Sequence, residues 1–93
     1  MDTMNAYTLR KTGLSDDPQA EDWQPHYKGI PVGRIYLGEF AGTKRYRWSI
    51  YINHWTQPAE GVALMGFADA REEATAAFKE SFEALIRKGM VRI

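Results

Sequence analysis

The sequence predicts an α+β domain, an antiparallel meander of three to five strands packed in two layers on one C-terminal amphipathic helix. Three observations lead there. Arg45 to Asn53 alternates without a break, with Tyr46, Trp48, Ile50 and Ile52 on one side and Arg45, Arg47, Ser49, Tyr51 and Asn53 on the other. Ala74, Ala77, Phe78, Phe82, Leu85 and Ile86 recur at helical spacing and form one stripe. Gly- and Pro-containing turns divide the region before the helix into short extended segments. With 93 residues the chain is long enough for one domain, 1–93, and too short for two.

The elements follow in order. Residues 1–22 form a polar, acidic N-terminal segment, in which Tyr7 and Leu9 alternate with Thr8 and Arg10 as a weak strand. Gly13 to Asp22 is turn chemistry. The core of the fold spans 23–89. Trp23–Tyr27 reads as a short strand, placed at an edge because Pro25 lacks the amide a ladder needs. Lys28-Gly29 is a turn. Val32–Phe40, opened by Pro31, is rich in β-branched and aromatic residues. Ala41-Gly42-Thr43 is a hairpin loop, Arg45–Asn53 the next strand, and Val62–Phe67 the last. The helix is predicted from Asp69, as a capping-box residue with Glu72, to about Lys88, with Gly89 ending it.

Pleat parity then assigns two faces. Tyr46, Trp48, Ile50 and Ile52 face the helix with Ile35 and Leu37, joined by Val62, Leu64 and Gly66, whose missing side chain lets the helix approach closely. The outer face is left with Arg34, Tyr36, Arg45, Arg47, Tyr51, Trp55, Met65 and Phe67. It is both aromatic and basic. Residues 28–47 carry five cations (Lys28, Arg34, Lys44, Arg45, Arg47) against Glu39, whereas residues 1–23 carry two (Arg10, Lys11) against five acids. Two readings of that face follow. Either it is a docking surface, or residues 1–30 fold across it, with Tyr7, Leu9, Leu14 and Trp23 covering its rings and Asp16, Asp17 and Asp22 neutralising its arginines.

Composition narrows the function classes. Twelve Lys and Arg balance twelve Asp and Glu, which argues against nucleic-acid or membrane binding by bulk charge. The absence of cysteine excludes disulfides and thiol catalysis. His26 and His54 are 28 positions apart and match no metal-ligand spacing, and Asp16, Asp17, Glu21 and Asp22 lack the pattern of a calcium loop. Ser15, Ser49 and Ser81 lie in no nucleophile elbow, and no Gly-rich phosphate loop precedes the helix. No catalytic residue, metal or cofactor is therefore assigned. The apolar runs are too short for a membrane span, and the N-terminus has no signal-like pattern, so a soluble protein of the bacterial cytosol is expected.

Val32-Gly33-Arg34-Ile35-Tyr36, Arg47-Trp48-Ser49-Ile50 and Gly66-Phe67-Ala68-Asp69-Ala70-Arg71-Glu72-Glu73-Ala74, followed by Ala77-Phe78, resemble a group of short uncharacterised bacterial proteins. The resemblance covers about two thirds of the chain and implies a sheet-plus-helix fold without a known activity. Gly66 to Ala74 is also similar to the strand-to-helix junction of AP2-type DNA-binding domains and integrase arm-binding domains. That second likeness implies a three-stranded sheet reading DNA, with Arg45, Arg47 and Tyr51 at the corresponding positions. The sequence thus points to a non-enzymatic binding module. Its expected partner is another protein or a second copy, met through the outer sheet face or an edge strand. The alternative is a nucleic-acid-binding accessory domain using Arg34, Arg45, Arg47, Tyr51 and Trp55.

Overall fold

The computed structural model describes residues 6–14, 20–53 and 56–92. Six strands and one helix appear in the order β1 (Tyr7–Lys11), β2 (Asp22–Tyr27), β3 (Ile30–Pro31), β4 (Gly33–Phe40), β5 (Thr43–Ile50), β6 (Met65–Ala68) and α1 (Arg71–Arg87). All pairings are antiparallel and run β1-β2-β4-β5-β6, with β3 also on β2. The sheet has more strands than the three to five expected. The addition is β3, two residues made by the tight turn that precedes them.

That turn and the β4–β5 turn share one chemistry. Lys28 and Gly29 both have positive φ (51° and 82°), as do Ala41 and Gly42 (52° and 79°). Two consecutive left-handed residues make the two-residue turn whose twist matches a hairpin. The registers Tyr27↔Ile30 and Phe40↔Thr43 close directly over them.

Pro25 is not at an edge. β2 lies between β1 and β3–β4, with Pro25 buried opposite Leu9. Two features make this tolerable. The Pro25 carbonyl accepts from Val32 N, so its missing amide also points toward β3–β4. There His26↔Pro31 and Trp23↔Ile35 bracket residues 24–25 on β2 and 32–34 on the partner, one residue more. The extra residue is a β-bulge, and a bulge interrupts the ladder where a proline has no donor to give.

One face of the sheet is the core. Val32, Ile35, Trp48 and Ile50 are buried against Ala74, Phe78, Phe82 and Leu85 of α1. Phe78 and Phe82 stack at 5.7 Å, and Trp48 meets Phe78 edge-on at 6.5 Å. Gly66 is needed on this face, but for a different neighbour than expected. A Cβ there would sit 2.7–2.9 Å from the Trp48 indole, which lies across the glycine from the neighbouring strand. A Cβ on Gly33 would collide with the Ser49 carbonyl and the Phe78 ring. The stripe on α1 is as read, with Ala77 and Ile86 half-buried at its margin.

Several boundaries shift. β5 ends at Ile50, so Ile52 leaves the inner face and is 47% exposed. β6 starts only at Met65, because Val62 and Leu64 reach the core from a loop that turns at Gly61. Leu37 keeps inner parity but lies toward the far end of β4 and is exposed. Asp69 does not cap the helix. The N-cap is Ala70, in extended conformation and without a side-chain bond, leaving Glu72 and Glu73 to favour the N-terminal dipole. The C-terminus is as read: Gly89 N bonds Ile86 O, Met90 N bonds Leu85 O, and Gly89 has φ 73°. These two bonds are the Schellman pair, and Met90 packs on the core as that motif favours.

The described residues of 1–30 do not fold across the outer face, where the second reading placed them. β1 and β2 extend the sheet sideways, and their apolar residues Tyr7, Leu9, Trp23 and Tyr27 have the inner parity and pack on the helix side. Leu14 is exposed. Asp16 and Asp17 lie outside the described residues.

Candidate functional site

The outer face is built by the even positions of β4 and the odd positions of β5 and β6. Arg34, Tyr36, Gly38 and Phe40 therefore stand beside Ser49, Arg47, Arg45 and Thr43, with Met65 and Phe67 next in line. No element among the described residues lies over it. Phe67 is 47% exposed and Met65 46%, whereas their chain neighbour Gly66 points inward beneath the indole.

The aromatic residues form a connected row. Phe67 meets Phe40 at 4.9 Å, and Phe40 meets Tyr36 at 6.1 Å, both edge-on. Gly38 lies between Tyr36 and Phe40 on this face, and its bare backbone is what the Phe40 ring covers. A Cβ there would come within 2.8 Å of Phe40 and 3.3 Å of Tyr36. The Arg34 guanidinium caps the row, 4.2 Å from the Tyr36 centroid.

The three cations of the expected site, and Lys44 beside them in sequence, are not equivalent. Arg34 is held by Asp22, with Nε donating to Oδ1 at 2.9 Å and Nη2 to Oδ2 at 2.6 Å. That fork raises the Arg34 pKa further above its ordinary range. Lys44 has the opposite parity and belongs to the other face. Arg45 is exposed and borders a hollow of about 260 Å³ with Phe67, Ala68, Asp69 and Glu73. Arg47 donates to the Met65 sulfur at 3.4 Å, which lays it beside Phe67. Arg45 and Arg47 make no ion pair among the described residues.

Tyr51 is also on this face, where its hydroxyl accepts from Gln24 Nε2 at 3.2 Å. Trp55 and His54 lie outside the described residues. The structure thus brings Arg34, Tyr36, Arg45, Arg47, Tyr51, Met65 and Phe67 onto one face and adds Phe40, Asp22 and Gln24. Phe40 was visible in the sequence through its parity with Tyr36. The Asp22–Arg34 fork was half visible, since the acidic segment was expected to meet the arginines, but by folding over them and not beside them. His26 is also on the outer side, with Nδ1 3.0 Å from the Gln24 carbonyl. Among the described residues no cluster of three or more His, Asp or Glu side chains is placed to hold a metal ion. No helix among the described residues is long and apolar enough to cross a membrane.

No family model, curated protein or solved structure matches this chain. The resemblances drawn from its short motifs therefore rest on those motifs alone, and the functional reading rests on the face itself.

Proposed function

We propose that this domain is a binding module that docks a protein partner on the outer sheet face. One observation carries the reading: Met65 and Phe67, each nearly half exposed, sit beside Arg45 and Arg47 on a face that no element among the described residues covers. Aromatic residues, Met and Arg are the residue types enriched at protein contact centres. The cations favour a partner with acidic residues around an apolar centre, because Arg34 already has its acid and Arg45 and Arg47 do not.

The nucleic-acid alternative draws on the same two arginines. Two features weigh against it. The rings meet edge-on at 61° and 64°, so they do not form one flat, continuous platform on which successive bases could stack. The chain's net charge is zero.

The test has two arms. A photo-reactive side chain at Arg45, introduced in cells, should crosslink a partner whose purified form binds the wild-type chain and loses about tenfold or more in affinity to Arg45→Glu/Arg47→Glu. Fluorescence anisotropy with duplex and single-stranded oligonucleotides at low salt should show no binding. Tight, steeply salt-dependent oligonucleotide binding that the same double variant abolishes would transfer the face to the alternative.

A further inference from the structure

A second surface lies at the other end of the sheet. Among the described residues β1 pairs only with β2, so Tyr7 and Leu9 present an unpaired backbone edge on the far side. Ala6 O and Thr12 N bond the β2 side, which fixes the parity: even residues of β1 point their N–H and C=O inward to β2, and Tyr7 and Leu9 point theirs away from it. Edges of this kind are usually blunted by being very short, by proline or by a covering element. The opposite edge, β6, has only four residues. β1 has five and no proline.

The edge also has a floor and a wall. α1 packs mainly over β5, β6 and β4, which leaves a trough between the helix and the inner side of β1. One hollow of about 220 Å³ is bounded by Tyr7, Leu9, Pro25, Thr75, Phe78 and Lys79. A second, of about 340 Å³, continues along Leu9, Arg71, Glu72, Ala76 and Lys79. A bare strand edge beside a helix-walled trough has the geometry for strand addition. The edge supplies the ladder, and the trough takes every second side chain of the added strand.

The chemistry of the trough selects the occupant. Alternating donors and acceptors on Tyr7 and Leu9 are matched by another extended backbone. The hollow over Pro25 and Phe78 takes an apolar side chain. Lys79 lies 4.9 Å from the Tyr7 ring and makes no ion pair among the described residues, while Arg71 lies 4.7 Å from the Trp23 ring and pairs with the exposed Glu72 at 3.6 Å. Glu83 is engaged by the Tyr7 hydroxyl at 3.4 Å. A second copy of β1 fits poorly. Centred on Leu9, an antiparallel self-pairing would set Lys11 of one copy against Tyr7 and Lys79 of the other, a like-charge contact.

We infer that the β1 edge binds an extended segment of a partner polypeptide as an added strand, with an apolar and an acidic residue two positions apart facing the α1 trough. The inference rests on the binding-module reading but uses none of the outer-face residues, so each can fail without the other.

The probe is the blocked peptide acetyl-Thr-Val-Thr-Glu-Thr-amide, titrated into the isotopically labelled full chain to about 5 mM, enough to fill a site of millimolar Kd. The Tyr7 and Leu9 amides should shift and slow their hydrogen exchange about fivefold at the end of the titration, the protection that an occupancy of about five-sixths allows. A peptide with Lys in place of Glu should bind up to about fivefold more weakly, the size of an exposed ion pair, and Lys79→Glu should reverse that order. N-methylation of the peptide's ladder-facing amides should abolish binding. Absence of shifts at β1, shifts confined to Phe67 and Arg45, or Tyr7 and Leu9 amides already protected in the free chain would each overturn the inference. Protection that rises with protein concentration without peptide would overturn it in favour of self-pairing.

Discussion

Trp48 and Arg47 are adjacent in sequence and opposite in fate. The indole is buried under α1 and over Gly66, and the guanidinium lies on the open face against Met65. Because strand side chains alternate, this one choice fixes every other residue of β5 and, through the register, of β4 and β6. Gly66→Ala would place a methyl group against the indole, and we expect a loss of about 1–3 kcal/mol in urea unfolding. Gly33→Ala should cost more, since its obstacle includes a backbone carbonyl that cannot step aside. The tyrosines set the alkaline limit. Burial and the nearby Glu83 carboxylate push the Tyr7 hydroxyl well above its ordinary pKa of 10.0. Desolvation and the bond to Glu21 at 3.0 Å raise Tyr46 as well. A raised folded pKa stabilises below the unfolded value and is lost as pH climbs past it. Stability measured by thermal melts should therefore be level at neutral pH and fall above about pH 10. In Tyr7→Phe that alkaline decline should be shallower. Glu21 has the opposite sign: the Tyr46 hydroxyl, with Lys11 and Arg71 nearby, lowers its pKa from 4.5, so its contribution is present above that value and fades as pH falls below it.

At the scale of elements, the parts legible in the sequence were those set by short-range rules. The alternation of β5, the α1 stripe, the Lys28-Gly29 turn and the Gly89 stop each depend on a few neighbouring residues, and each is present; the second hairpin loop is shorter than read, because Thr43 already pairs with Phe40 in β5. What escaped depended on contacts made elsewhere in the chain. Pro25 sits inside the sheet because a bulge on β3–β4 removes the need for its amide, and neither strand shows that alone. Asp69 has the side chain of a cap, but the chain leaves β6 so that Ala70 takes the position. The site was legible by parity on β4 and β5. Its internal structure was not, because the Gly38 gap that seats Phe40 and the Asp22 fork on Arg34 are cross-strand facts. Gly38→Val should push Phe40 off Tyr36 and break the row. We expect it to reduce partner affinity on the outer face while shifting stability by less than Gly33→Ala, a split that binding and urea titrations on the same samples would read.

For the molecule as a whole, the sheet is covered on one side and open on the other among the described residues, and Tyr7–Lys11 of the N-terminal segment belongs to the sheet. β1 brings Tyr7 against Tyr27 at 5.0 Å and Phe82 at 6.3 Å, closing the core at that end. Removing residues 1–11 should uncover these rings and cost about 2–4 kcal/mol, a fall in melting temperature of roughly 10–25 °C for a domain of this size. An unchanged melting temperature would show β1 to be dispensable. The two-sided arrangement itself is tested most directly by hydroxyl-radical footprinting of the monomeric full chain, read residue by residue by mass spectrometry. The account predicts rapid oxidation of Met65 and Phe67, with Trp48, Phe78 and Phe82 protected about tenfold or more relative to their intrinsic reactivity. Met65 and Phe67 protected as strongly as Phe78, or Trp48 oxidised as readily as Phe67, would contradict it.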